Sequence, residues 1–183
     1  MTDFDYCFQE VVGIEGDFSD HPSDSGGKTR FGVTENVARA HGYEGDMREL
    51  PFETARAIYR ADYWDKLQLD RIAAISRPLA YELFDTGVNM GVSVAGEFLQ
   101  RSMNVLNRRE ADWQDLVVDG GIGPVTLDRL LSGWQRRGHA GELVLIKMLN
   151  CLQGARYVAL AERREKDEDF VFGWFTHRVR IPS

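Results

Sequence analysis

The chain has 183 residues, 43% of them hydrophobic, and a formal net charge of −7. That length can bury a core without disulfide staples, and the acidic balance argues against a nucleic-acid partner, which calls for a basic field. Cys7 and Cys151 fall inside apolar helical patterns and are read as buried free thiols. MTDFDYCFQE is acidic where a secretory leader would be basic. No run approaches about eighteen apolar residues. The expectation is a protein made in the cytoplasm with no membrane span.

Phe4, Cys7, Phe8, Val11, Val12 and Glu15 recur at helical spacing. They predict a helix over 3–15, capped by Thr2 or Asp3 and ended by Gly16. Residues 16–32 are rich in Gly, Ser and Asp and read as loop, with a short strand pair near 28–33. Helices are predicted over 34–42, with Thr34 as cap, and over 51–63, with Pro51 near the first position. A third begins at Ser76, with Leu79, Leu83, Phe84 and Val88 as its stripe, and a fourth spans 92–106. DGGIGP is turn chemistry, and Pro124 starts the next helix. The longest periodic helix covers 141–166 and ends in RREKDED, read as a solvated helix end; the tail FVFGWFTHRVRIPS is aromatic and basic. The fold class is mainly α, with one small irregular or β element near the N-terminus.

Glu15 closes the apolar stripe of the first predicted helix. A carboxylate on the core side of a helix C-terminus is pushed toward its neutral form by desolvation and by the helix dipole. A carboxyl group protonated near neutral pH can serve as a general acid. The alternative is a structural glutamate that snorkels to solvent or pairs with Arg30. Asp24 lies nine residues later in a loop able to fold back, and Asp20 is its rival. Two carboxyl groups are the minimal equipment for hydrolysing a glycosidic bond, and an inverting pair stands roughly 6.5–9.5 Å apart. Thr29 and Thr34 offer hydroxyls to hold a water. For either aspartate alone, an Asx turn is the competing role. His21 has no nearby His or Cys to share a metal, the EF-hand pattern is absent, and GGKT lacks the first glycine of a phosphate loop. Tyr63, Trp64, Asp85 and Asn89 are the mid-chain candidates for glycan contact, with Trp174 and Arg178 in the tail. Core packing competes for the aromatics, and interhelix hydrogen bonds compete for Asp85 and Asn89, which share a helical face.

EGDFSDHPSDSGGKTRFGVT closely resembles the EGGYxNDPxDxGGxTxxGIT signature of the glycoside hydrolase family 108 lysozymes. LPFETARAIYRADYW is similar to that family's LTxxEAxxIYRxxYW, and LAYELFDTGVNMG to its FDxAVNxG. FLQRSMNV, DGGIGPVTLDRLL and FGWFTHRV extend the resemblance over nearly the whole chain. It implies a lysozyme-like helical fold, with a catalytic region over 1–106 and a peptidoglycan-binding part over 107–183 packed as one body. It implies a phage-associated, endolysin-type N-acetylmuramidase in which Glu15 is the general acid. Asp24 and Thr29 complete the catalytic set, with Asp20 as the alternative partner. Thr34, Tyr63, Trp64, Asp85, Asn89, Trp174 and Arg178 are its implied substrate contacts. Asp17 stands in place of the signature's second glycine, and Asp20-His21 in place of its Asn-Asp. No cofactor or metal is expected. Peptidoglycan is the expected partner, a monomer the expected state, and release through a holin or carriage on a phage particle the expected route to the periplasm. The competing classes are a noncatalytic peptidoglycan-binding module and a phage or secretion-associated structural protein that retains the fold.

Overall fold

The computed structural model describes residues 1–13, 18–19 and 28–179. Among them it holds eight α-helices and one two-stranded sheet, a mainly α protein as expected. The chain forms two compact units, Met1–Asp65 and Lys66–Ser183.

In the first unit, α1 covers Asp3–Val12. Thr2 and Asp5 form a capping box: the Asp5 N–H donates to Thr2 Oγ1 at 3.2 Å, and the Thr2 N–H donates to Asp5 Oδ2 at 3.1 Å. This satisfies donors that the first turn would otherwise leave bare. Phe4, Cys7 and Phe8 share the buried face. The helix ends at Gly13, whose φ of +79° is open to glycine at little cost. The stop is therefore three residues earlier than the expected Gly16.

A hairpin follows, β1 (Thr29–Arg30) against β2 (Val33–Thr34), antiparallel, with Thr29 opposite Thr34 and Arg30 opposite Val33. Its two turn residues, Phe31 and Gly32, both have positive φ (51° and 71°). That is the requirement of a twist-matched two-residue turn. Gly32 answers a second demand, because a Cβ there would stand 2.4 Å from the Tyr59 hydroxyl oxygen. The Tyr59 hydroxyl in turn donates to the Phe31 carbonyl at 3.2 Å.

Helix α2 (Glu35–Ala40) starts from Thr34, and a 3-10 turn at Met47–Glu49 leads into α3 (Phe52–Tyr59). A π-helical turn, Arg60–Trp64, extends α3. The core of this unit is aromatic. Phe4 stacks on Phe8 at 5.7 Å and meets Trp64 edge-on at 5.3 Å; Phe8 contacts Phe52 and Tyr59, each at 5.3 Å. Arg56 closes one side, its guanidinium donating to Asp5 and lying 5.3 Å over the Phe4 ring.

The second unit comprises α4 (Leu69–Ala73), α5 (Arg77–Met90), α6 (Val92–Leu106), α7 (Pro124–Arg163) and α8 (Glu168–His177). Ser76 caps α5, its hydroxyl accepting from the Leu79 N–H at 3.1 Å. Leu79, Ala80, Leu83 and Phe84 are buried along α5, and so are the polar Glu82, Asp85 and Thr86. Gly91 ends α5 and opens α6.

Side-chain amides of α6 hold the long connection to α7. Gln100 donates to Asp119 Oδ1 (2.8 Å) and the Gly121 carbonyl (2.9 Å), and accepts from the N–H groups of Asp119 (3.1 Å) and Gly120 (2.9 Å). One turn on, Asn104 exchanges two 2.8 Å bonds with the Leu116 backbone. Gly96 lets the loop approach: a Cβ there would be 2.0 Å from the Gly120 carbonyl oxygen.

The two helices expected from sequence, one from Pro124 and one over 141–166, are the two arms of α7. It runs from Pro124 to Arg163 with a break at Gly138 (φ 53°, ψ −145°). By length and composition alone it is apolar enough to cross a membrane. Within this unit, however, it buries Leu145, Ile146, Leu149 and Tyr157 together with the polar Asn150 and Gln153, as a core helix does. Two expectations need correction nearby. The charged run after α7 is not uniformly solvated, because Asp167 is buried and pairs with Arg164 at 2.5 Å. Cys151 is exposed, whereas Cys7 is buried as expected.

Candidate active site

Glu15, Asp20, Asp24, Asp17 and His21 lie outside the described residues. The backbone beside them is described. Helix α1 stops at Val12. On the far side, Ser19 and Thr29 form an antiparallel bridge. The Ser19 N–H donates to the Thr29 carbonyl at 2.9 Å, and the Thr29 N–H donates to the Ser19 carbonyl at 2.8 Å. Thr29 is thus central in a row of three, with Ser19 on one edge and Thr34 on the other. Residues directly opposite on antiparallel strands project to the same face. The register therefore brings together the two threonines that the sequence singled out. Thr34 has a structural task as well, since its hydroxyl accepts from the Val37 N–H at 3.4 Å as the cap of α2.

Around this row the first unit places Phe18 under the Arg48 guanidinium, 5.0 Å from the ring centre. Arg30 donates to the Arg48 carbonyl. Tyr63 is half-buried on the π-helical turn, its ring 5.4 Å from that of Tyr59. Trp64 behaves otherwise: it is fully buried against Phe4, with no ring face open to a sugar. Its location corrects the reading of Trp64 as a substrate platform. Sequence reasoning missed the His41–Asp62 pair, whose Nε2 and Oδ2 atoms are 2.7 Å apart on partly exposed side chains.

The second unit gathers the other candidates about Asp85. Its carboxylate, on α5, accepts from Arg178 Nη1 at 2.9 Å, Gln153 Nε2 at 3.1 Å and Asn89 Nδ2 at 3.2 Å. Asn89 also donates to the Asp85 carbonyl at 2.7 Å. Beside them Trp174 of α8 stacks on Tyr157 of α7, 4.6 Å between ring centres. Burial pushes the Tyr157 hydroxyl up to about 12, and the negative charge of Asp85 adds to the rise. Asp85, Asn89, Trp174 and Arg178 were each expected from sequence; Gln153 and Tyr157 were not. A signal for them existed: Asn150, Gln153 and Tyr157 fall at i, i+3 and i+7 on the apolar stripe of α7. A polar residue on such a stripe needs a partner. Among the described residues, no three His, Cys, Asp or Glu side chains are grouped to hold a metal ion.

Comparison with known proteins divides the chain near residue 92, inside the second unit. Residues 8–91 match the family model of glycosyl hydrolase 108, and residues 94–179 match a "Predicted Peptidoglycan domain". No curated protein matches the chain. Among solved structures it is similar to Brucella abortus SagA, at a TM-score of 0.69 and 24% identity over 97% of this chain and 90% of that one, a likeness of fold. With one match meeting the other almost end to end, the chain carries a glycosyl hydrolase 108 region followed by a predicted peptidoglycan domain, and it is a glycoside hydrolase acting on peptidoglycan.

Proposed function

We propose that the enzyme is a muramidase, cleaving the β-1,4 bond from N-acetylmuramic acid to N-acetylglucosamine, with Glu15 as its general acid. The observation that carries this reading is the family match over 8–91, which contains Glu15, Asp20, Asp24 and Thr29 together. Glu15 gives its proton to the glycosidic oxygen as the bond breaks. Asp24, with Asp20 as the alternative, supports the oxocarbenium-like state and orients the attacking water. Thr29 assists through its hydroxyl, on the strand position shared by the Ser19 bridge and the Thr34 pair. If Asp24 acts from the face opposite Glu15, the product is inverted. Tyr63 offers a partly open ring to a sugar in the first unit. In the second, Arg178 keeps 30% of its side chain open beside Asp85, Asn89 and Trp174.

In this reading the protein is an endolysin. It acts as a monomer on the wall in the periplasm, after release through a holin-type pore or delivery by a phage particle. Replacing Glu15 by Gln removes the acid while keeping size and hydrogen-bonding capacity. The folded variant is expected to sediment with purified peptidoglycan and release no new reducing ends. Release at the wild-type rate overturns the assignment of Glu15. Asp24→Asn and Asp20→Asn in the same assay identify the partner carboxylate. A wild-type chain that sediments without releasing reducing ends would instead be a noncatalytic wall-binding or structural protein.

A further inference from the structure

The second unit contains a cationic cleft that the proposed chemistry does not use. The carboxylate of Asp112 is 2% exposed, and three guanidiniums converge on it. Arg108 donates through Nε (3.0 Å) and Nη2 (2.5 Å), Arg137 through Nη2 (3.1 Å) and Arg136 through Nη1 (3.4 Å). The arginines are far more open than the acid beneath them: 67%, 30% and 52% for Arg108, Arg137 and Arg136. Three positive charges on one negative charge leave an excess of two, on a protein whose net charge is −7.

These groups line an open cleft of about 600 Å³ with Val105 and Leu106. The backbone is held in an unusual form to present them. Arg108, Arg109 and Glu110 all have positive φ (54°, 62° and 63°), a left-handed run that disfavours side-chain-bearing residues. Asn107 braces it by accepting from the Glu110 N–H at 3.1 Å. On the other wall, Arg137 directly precedes the break of α7 at Gly138 and also donates to the Leu106 carbonyl. Backbone strain of this kind clusters where side chains must be aimed.

Asp112 itself shows that a carboxylate fits among these guanidiniums. Planar guanidinium forks match carboxylates in two-point contact, and each exposed arginine here has donors beyond those spent on Asp112. The cleft lies in the region matched to the predicted peptidoglycan domain. The free carboxylates of peptidoglycan are concentrated on its stem peptides, not on its amino sugars. We infer that the Arg108–Arg136–Arg137 cleft binds a free carboxylate of the peptidoglycan stem peptide, giving the second unit a preference for wall that carries its peptides. The inference rests on peptidoglycan being the polymer bound.

Titration calorimetry with the full chain tests it, using two soluble probes. One is a disaccharide-tetrapeptide and the other is the same molecule with its peptide carboxylates converted to amides. The wild type is expected to bind the first about tenfold or more tightly than the second, with the advantage shrinking as salt rises. Arg108→Gln and Arg136→Gln each reduce the advantage, and together they erase it; Arg164→Gln, a control elsewhere in the unit, keeps it. Arg136→Gln removes only the 3.4 Å contact, so it remains informative if the loop tolerates no change at Arg108. Equal binding of the two probes by the wild type overturns the inference, as does a double variant that retains the preference. Citrate that displaces the tetrapeptide probe at equal concentration overturns it too, leaving a general anion site. Sedimentation with purified sacculi separates the two levels. A chain that sediments yet holds both probes equally loses only this site, and a chain that does not sediment loses the polymer as well.

Discussion

The two units are built on different physics. Met1–Asp65 is held by rings: Phe4, Phe8, Phe52, Tyr59 and Trp64 touch one another in sequence. Lys66–Ser183 has an apolar core too, but polar side chains fix its geometry: Gln100 and Asn104 hold a loop, and Asp85 gathers Asn89, Gln153 and Arg178. Dispersion and burial are forgiving of direction, whereas hydrogen-bonded networks specify one arrangement and penalise the loss of any member. The first unit should therefore fail by losing stability, and the second by losing register.

Phe8→Ala is the largest test of that contrast. It empties the centre of the aromatic core and is expected to cost about 3–5 kcal/mol, seen as a large fall in the denaturant midpoint. Asp85→Ala comes next, at about 2–3 kcal/mol, because three donors lose their acceptor and Arg178 its counter-charge. Its signature is local: hydrogen exchange should accelerate in α8 while the amides of α1 keep their protection. Uniform acceleration across both units would contradict the contrast. Gly32→Ala is smaller, about 1–2 kcal/mol, from a positive φ and a collision with the Tyr59 hydroxyl; Gly32→Ala with Tyr59→Phe should recover part of it.

The smallest effect is a pH dependence. Hydrogen bonds from Thr2 and then Arg56 lower the Asp5 carboxyl to about 2. The unfolded value is near 3.9. A depressed folded value contributes stability that is fully present above the unfolded value and is lost as pH falls from about 4 to about 2. Asp5→Asn should flatten the stability profile in that window, and an unchanged acid slope would remove Asp5 from the account.

Local chemistry made much of this fold readable. Thr2, Ser76 and Thr34 are caps and Pro124 opens a helix, as their residue types indicate; the strand pair is expected near 28–33, but its turn at Phe31-Gly32, with a positive φ at a phenylalanine, is not readable from sequence. The misreadings arose where tertiary contacts decide. Gly13 and Gly16 both offer a helix stop, and the chain uses the first. In sequence α8 shows only as an aromatic tail, because Phe170, Phe172, Trp174 and Phe175 interleaved with Gly173 lack helix propensity; the helix is held by Trp174 against Tyr157. The second unit's share of the candidate residues was legible as single polar residues on helical faces, but not as one cluster. Asp85 and Arg178 are 93 positions apart, and only packing joins them.

The most direct measurement on the central claim is the identity of the new reducing end. Purified sacculi digested by the protein are reduced with borohydride, and the products are read by mass spectrometry. A muramidase acting through Glu15 gives reduced N-acetylmuramic acid at the cut, and the Glu15→Gln variant gives none. Reduced N-acetylglucosamine, a 1,6-anhydro end, or undiminished product from the variant would contradict the account.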